Sequence, residues 1–263
     1  DFDGDGDPDL YVASGSYEHP AGDTLLQDRL YLNDGAGGFS ASDPDALPDM
    51  RDFSSCVRPS DYDGDGDLDL FVGGRVLPGE YPLPGHSRLL INDTREGGPV
   101  RFVEAAADLT PGLRAVGMVT DAAWADVDGD GARDLLIACE WGVPRLFRNT
   151  GGKLEDVSAE AGLTGLTGWW RRVKPADLDG DGDIDFALGN FGLNTPYGAS
   201  ETEPATLLWL NNQQGGPKVL VETEYEGGRL FPLRDRGSIV AAVPALGAKF
   251  GTLGEYAEAS LEE

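Results

Sequence analysis

Short apolar runs recur along this chain without the apolar–polar alternation of a half-exposed strand. Leu10-Tyr-Val-Ala13, Leu70-Phe-Val-Gly73, Leu135-Leu-Ile-Ala138 and Phe186-Ala-Leu-Gly189 each end in a small residue. Too short for helices, they predict strands covered on both faces. Each is followed by a second run: Arg29-Leu-Tyr-Leu-Asn-Asp34, Arg88-Leu-Leu-Ile-Asn-Asp93, Arg145-Leu-Phe-Arg-Asn-Thr150 and Leu207-Leu-Trp-Leu-Asn-Asn212. A Gly-containing turn then leads to a further strand around Phe39, Phe102, Leu154 and Leu220. Upstream of the apolar runs, Cys56-Val-Arg-Pro-Ser60, Asp121-Ala-Ala-Trp-Ala125 and Arg172-Val-Lys-Pro-Ala176 supply first strands. Four antiparallel strands per unit, with no long helix between units, predict an all-β chain built of β-propeller blades. The expected blades are 1–50, 51–117, 118–166 and 167–224, four in all and four-stranded, the first lacking its innermost strand. From 225 to 263 the pattern changes: Ile239, Val240, Val243, Leu246, Phe250, Leu253 and Ala257 fall at helical spacing, with Pro244 limiting the first turn. A short helical extension is expected there.

Between the first and second strand of each unit lies one acidic loop of nine residues. The copies are Asp1-Phe-Asp-Gly-Asp-Gly-Asp-Pro-Asp9, Asp61-Tyr-Asp-Gly-Asp-Gly-Asp-Leu-Asp69, Asp126-Val-Asp-Gly-Asp-Gly-Ala-Arg-Asp134 and Asp177-Leu-Asp-Gly-Asp-Gly-Asp-Ile-Asp185. Short-stemmed carboxylates stand at loop positions 1, 3, 5 and 9: Asp1, Asp3, Asp5, Asp9; Asp61, Asp63, Asp65, Asp69; Asp126, Asp128, Asp130, Asp134; and Asp177, Asp179, Asp181, Asp185. Such a set suits Ca²⁺, a hard cation that takes six to eight oxygens in a flexible shell. Glycine at positions 4 and 6 admits the positive φ that turns those oxygens inward. Position 7 is Asp7, Asp67, Ala132 and Asp183, and the alanine implies a backbone carbonyl as the ligand there. An EF-hand is excluded, because position 12 is Val12, Val72, Ile137 or Leu188 where a bidentate Glu is required. About four structural calcium sites are expected. Asn211-Asn-Gln-Gln-Gly-Gly216 reads either as a fifth, decayed loop or as a plain polar turn.

The Asp-x-Asp-Gly-Asp-Gly-x-x-Asp-Leu loops resemble FG-GAP/VCBS repeats, the blades of the integrin α-chain head and of many secreted bacterial proteins. Asp69-Leu-Phe-Val-Gly-Gly-Arg75, Gly117-Met-Val-Thr-Asp121, Thr167-Gly-Trp-Trp170 and Gly189-Asn-Phe-Gly-Leu-Asn194 further resemble bacterial VCBS-repeat proteins related to cartilage acidic protein. Many of those carry an ASPIC/UnbV module. The resemblance implies a propeller of about seven blades, so the chain is expected to be a segment of a larger secreted protein. It contains no Arg-Gly-Asp tripeptide, and integrin-style adhesion is not carried over.

Charge narrows the partners. Asp and Glu number 47 against 20 Lys and Arg, a net charge of −27. Nucleic-acid backbones and anionic membrane surfaces are poor partners for such a chain. No apolar run reaches the ~20 residues of a membrane helix. Cys56 and Cys139 lie on predicted strands of different units, with no metal or redox spacing, and are expected as buried thiols. Loops of this kind belong where calcium is plentiful, which predicts an extracellular, periplasmic or cell-surface location.

Catalytic residues are not expected. His19 and His86 read as solvated loop residues, and no nucleophile elbow or phosphate loop is present. Two surfaces deserve weight. Arg171, Arg172 and Lys174 beside Trp169 and Trp170 hint at an enzyme acting on acidic polysaccharides, against the plainer reading that the cations line a first strand while the tryptophans pack between blades. Tyr17, Tyr81, Trp141 and Asn190-Phe-Gly-Leu-Asn-Thr-Pro-Tyr197 offer rings and amides to an unknown protein or glycan ligand. The leading expectation is a calcium-binding propeller module for protein or glycan binding. The alternative is a secreted carbohydrate-active enzyme with the propeller as scaffold.

Overall fold

The computed structural model describes residues 1–192, 194–210 and 219–261. They form two compact units, Asp1–Asn190 and Phe191–Glu263. The fold is all-β and propeller-like, and the α-helices among the described residues are short and lie in the C-terminal stretch.

The first unit holds β1 (Leu10–Val12), β2 (Arg29–Asn33) and β3 (Phe39–Ala41) in one antiparallel sheet. The second sheet is β4 (Ser54–Ser60), β5 (Asp69–Gly74), β6 (Arg88–Asn92) and β7 (Phe102–Glu104). The third repeats it as β8 (Met118–Ala125), β9 (Asp134–Glu140), β10 (Arg145–Asn149) and β11 (Leu154–Asp156), and a hairpin follows, β12 (Trp170–Ala176) with β13 (Asp185–Asn190). The strands pair in chain order, as their buried–loop–buried pattern predicts.

Sheets stack face to face, and the core lies between them. Phe2, Leu30 and Met50 meet Leu70, Leu90 and Phe102 between the first and second sheets. Phe71, Leu89 and Cys56 meet Leu135, Ile137 and Phe147 between the second and third, while Leu136, Ala138 and Val173 continue the series with Trp170 and Leu188. Phe71, Val72, Leu135 and Ile137 are no more than 1% exposed, which explains why their strands lack polar alternation. The small residue at the strand end has a packing cause. A Cβ on Gly73 would stand 2.6 Å from Val119 Cγ1 and 2.8 Å from Cys56 Sγ, so the next first strand lies directly over the backbone.

First strands carry the polar ties. Each has a register shift at the same place, between Ser54 and Cys56, Val119 and Asp121, and Trp170 and Arg172. Asp121, 2% exposed, joins three of them. Its Oδ1 accepts from Arg58 Nη2 on β4, and its Oδ2 accepts from the Val173 N–H on β12 at 3.0 Å.

The second unit contains β14 (Thr206–Leu210), β15 (Val219–Glu226) and β16 (Arg229–Pro232), then α1 (Arg236–Ala242), α2 (Ala245–Lys249) and α3 (Leu253–Glu258). Val219, Val221 and Ile239 form its core, with Leu208, Val243, Leu246 and Tyr256 packed on them. The helical spacing is realised as three short pieces. Asp235, Pro244 and Thr252 stand at their starts, and Thr252 with Glu255 forms a capping box.

Two expectations need correction. One four-stranded blade is expected over 167–224; its third and fourth strands pair as expected, β14 with β15, but its first two, β12 and β13, form a separate sheet of two strands. The extension expected from 225 begins as strand. Gly227 and Gly228, at φ 59° and 79°, make a two-residue turn, so β15 runs on to Glu226 and returns as β16. The loop expected at Asn211–Gly216 lies outside the described residues. No helix among the described residues is long and apolar enough to cross a membrane.

Candidate metal centre

Loops two to four each connect a first strand to a second strand, and loop one runs into β1. The pairs Ser60 with Asp69, Ala125 with Asp134 and Ala176 with Asp185 close the ladder at the loop base. Glycines at positions 4 and 6 take φ of 75–81° and 93–99° in all four copies, which L-residues rarely adopt. That path wraps the backbone around the position-1 carboxylate. Gly4 N–H donates to Asp1 Oδ1 at 2.9 Å and Gly6 N–H to Asp1 Oδ2 at 3.0 Å. Asp126 receives Gly129 and Gly131, and Asp177 receives Gly180 and Gly182, in the same way. Asp61 receives Gly64.

Three carboxylates converge in every loop, their nearest oxygens all within 4.8 Å of one another: Asp1, Asp3 and Asp5; Asp61, Asp63 and Asp69; Asp126, Asp128 and Asp134; Asp177, Asp179 and Asp185. Oxygen donors alone, with no nitrogen or sulfur, make a set that can hold a hard cation. Electrostatics agree with that fit. Burial raises the pKa of Asp3, and the neighbouring carboxylates of Asp5 and Asp9 add to it. Asp63 is raised by burial and by Asp65. Burial pushes Asp69 up to about 6 against two backbone N–H groups that favour its charge, and raises Asp134 likewise. A bound cation would reverse this mutual repulsion.

The sixteen proposed carboxylate ligands do not converge equally. Positions 1 and 3 converge in all four loops and position 9 in loops two to four. Position 5 joins only as Asp5, while Asp65, Asp130 and Asp181 stand outside the tight groups. In all four loops the position-5 side chain accepts from the position-7 N–H, of Asp7, Asp67, Ala132 or Asp183, at 2.8–2.9 Å. No position-7 side chain belongs to a converging group. That of Asp7 lies against Gly35 in the β2–β3 turn.

Position 9 has a second task. Asp69 Oδ2 accepts from Tyr62 N–H at 2.9 Å and its Oδ1 from Asn92 N–H at 2.8 Å. Asp134 does the same with Val127 and Asn149, and Asp9 with Phe2 and Asn33. The carboxylate thus closes its own loop and fastens the loop to the third strand. Asp69 and Asp134 are each 1% exposed.

Sequence reading missed the asparagine that ends β2, β6 and β10. Asn92 Nδ2 donates to the Phe2 carbonyl at 3.3 Å, and Asn149 Nδ2 to the Tyr62 carbonyl at 2.8 Å, each reaching the loop of the preceding sheet. Asn33 Nδ2 donates to Pro8 in its own loop. The recurrence of Asn after the third strand was the available signal. Phe2 and Tyr62 at position 2 are buried, and the Tyr62 hydroxyl donates to the Gly152 carbonyl of the next sheet.

The aromatic and cationic candidates gather elsewhere. Trp141 stacks on Trp169 at 5.3 Å, its Nε1–H donates to the Tyr81 hydroxyl at 2.9 Å, and that hydroxyl donates to Glu140 Oε1 at 3.2 Å. Arg75 and Arg171 both reach Glu140 Oε2. Glu140 is 4% exposed and was not foreseen as the hub. Trp169 therefore packs between sheets, as the plainer reading held, and Asn190 Oδ1 accepts from its N–H. Arg172 is 76% exposed, 3.9 Å from Asp121, and Lys174 is exposed. Tyr17 lies against Phe53 at 5.0 Å. His86 was expected to be solvated, but it is engaged by Asp52 at 3.0 Å, and His19 by Asp23 at 3.1 Å. Both cysteines are buried and free.

The FG-GAP-like repeat family matches residues 1–72 and 95–188, the span that contains every acidic loop. The chain belongs to the FG-GAP-like repeat family. A search of curated proteins finds no match. The matched segments end within the β12–β13 hairpin, so family membership covers the four acidic loops and leaves the second unit unassigned.

Proposed function

We propose that this FG-GAP-like chain is a calcium-stapled module of an extracellular or cell-surface protein that acts by binding a protein or glycan partner, without catalysis of its own. The observation that carries the reading is the convergence of three carboxylates in each of four equivalent loops. Calcium fits better than magnesium. Mg²⁺ demands small octahedral shells and keeps its waters, whereas a flexible aspartate loop with a carbonyl at position 7 supplies the larger shell of Ca²⁺. Asp1, Asp3, Asp5 and Asp9 would hold one ion, with Asp61, Asp63, Asp65 and Asp69, Asp126, Asp128, Asp130 and Asp134, and Asp177, Asp179, Asp181 and Asp185 around the others. The ions would neutralise crowded charge at each sheet's base, and four would bring the formal net charge from −27 to −19. At free calcium a hundredfold above Kd, each site contributes ~2.7 kcal/mol of stability. Finer placement among bacterial VCBS-repeat proteins of the cartilage-acidic-protein type rests on the resemblance of motifs such as Gly189-Asn-Phe-Gly-Leu-Asn194.

Tyr81 and Trp141, partly exposed and joined by a hydrogen bond, support a binding role, since rings held by polar contacts suit glycan and protein faces. EDTA should lower the melting temperature substantially, with recovery in Ca²⁺ and much less in Mg²⁺. An unchanged melting curve would remove the calcium reading. A panel of acidic and neutral polysaccharides tests the rest. Binding without turnover is expected, and turnover abolished by Arg172→Ala would replace the binding module with a carbohydrate-active enzyme.

A further inference from the structure

Resting on the calcium reading above, we infer that Asn149 and Asn92 couple neighbouring loops, so that a cation in one raises the affinity of the next. Each asparagine is held from two sides. The Asn149 N–H donates to Asp134 Oδ1 of its own sheet at 2.8 Å, while its Nδ2 donates to the Tyr62 carbonyl of loop two at 2.8 Å. The Asn92 N–H donates to Asp69 at 2.8 Å, and its Nδ2 to the Phe2 carbonyl of loop one at 3.3 Å. The carbonyl received belongs to position 2, whose own N–H is fixed by that loop's position-9 aspartate. The links therefore run in series: Asp134, Asn149, Tyr62, Asp69, Asn92, Phe2, Asp9.

Nearly every link in this series is shielded from water. Asp134 and Asn149 are 1% exposed, Asp69 1%, Asn92 6%, Tyr62 4% and Phe2 8%, whereas the rest of each loop faces solvent. Ordering an exposed aspartate loop is the main cost of closing it on an ion. A cation in loop three tightens the hold on Asp134, which the Asn149 N–H already shares, so the Asn149 amide is kept on the Tyr62 carbonyl and less of loop two is left to be ordered. By thermodynamic reciprocity, loop two favours loop three equally. Asn149 is thus a positioning residue that touches no ion. One net hydrogen bond corresponds to about a fivefold change in affinity.

The test is calorimetric titration of calcium into the full chain carrying Asp3→Ala and Asp179→Ala, which leaves loops two and three. Two ions should bind, the second about fivefold more tightly than independent sites allow. Adding Asn149→Ala should keep two ions and abolish that gain. Asn149→Asp, which retains an oxygen to accept the Gly152 N–H but lacks the amide donor, should do the same and serves if the alanine variant fails to fold. Two independent ions in the parent, or cooperativity that survives both substitutions, would overturn the coupling alone. A folded parent that binds no calcium would overturn the calcium reading and the coupling with it.

Discussion

Replacing Asp134 by alanine separates the two tasks assigned to position 9. In the metal-free protein the aspartate accepts from Val127 N–H at 2.9 Å and Asn149 N–H at 2.8 Å while being 1% exposed. Alanine leaves both donors without that acceptor, and an unsatisfied buried group costs about 1–3 kcal/mol. Part of this is returned, because burial already penalises the Asp134 charge and raises its pKa. A loss of ~3 kcal/mol follows, against a domain stability of ~5–15 kcal/mol. Asp130→Ala is the control. Asp130 is exposed and accepts only from Ala132 N–H, so its removal should cost less than ~1 kcal/mol without metal. Urea unfolding followed by tryptophan fluorescence in EDTA measures both. In saturating calcium each variant should additionally lose one site's ~2.7 kcal/mol. If Asp134→Ala and Asp130→Ala unfold at the same urea midpoint in EDTA, the fastening role is refuted and position 9 is a ligand only.

Burial pushes the thiols of Cys56 and Cys139 up to about 11 and 12, so iodoacetamide should label neither in the folded protein and both in urea, and rapid native labelling would contradict their packing. Burial alone would raise the Asp52 carboxyl, but Arg88 and His86 outweigh it and hold the group below its usual 3.8. A depressed folded value means stability present above pH ~3.8 and lost as pH falls through the folded value. Asp52→Asn should therefore lower the melting temperature at pH 7 and converge on the parent in strong acid, whereas a gap independent of pH would disprove the ion pairing. Glu140→Gln breaks a buried carboxylate shared by Arg75, Arg171 and Tyr81 and should cost about 2–3 kcal/mol in urea unfolding, since both arginines remain partly hydrated. Unchanged stability there would show that the cluster is ornamental to the fold.

The parts of this chain that are legible in sequence are those where one repeat suffices to state the rule. A nine-residue loop with glycine at fixed positions, an apolar run covered on both faces and a small residue at its end are local patterns, and the sheets of the first unit follow them. Strand pairing beyond the hairpin is another matter. Leu207-Leu-Trp-Leu carries the same signature as β2, β6 and β10 and pairs as they do with the strand that follows, but among the described residues β13 pairs only with β12, so β14 has no second-strand neighbour, because choice of partner is decided across the fold and not within the run. The glycine pair at 227–228 is a local turn signal, but the helical spacing that follows it dominates the pattern there. The asparagine links were visible as a recurrence, but their acceptors lie 87 and 90 residues away in the preceding loop.

Positions that repeat in place but change in identity are the hardest to read. Cys56, Asp121 and Arg172 share one register, paired with Gly73, Ala138 and Gly189. Aligned as repeats they look like noise. In the fold they are one layer of adjacent first strands, where Asp121 takes Arg58 on one side and faces Arg172 at 3.9 Å on the other. A charge there is stable only because its neighbours differ from it, so an aspartate in every copy would stack like charges across the layer. Repetition specifies the acidic loops because each loop closes on itself. It cannot specify this layer, whose members complete one another, and the same argument explains why Arg75 and Glu140, six residues past their position-9 aspartates, form a pair.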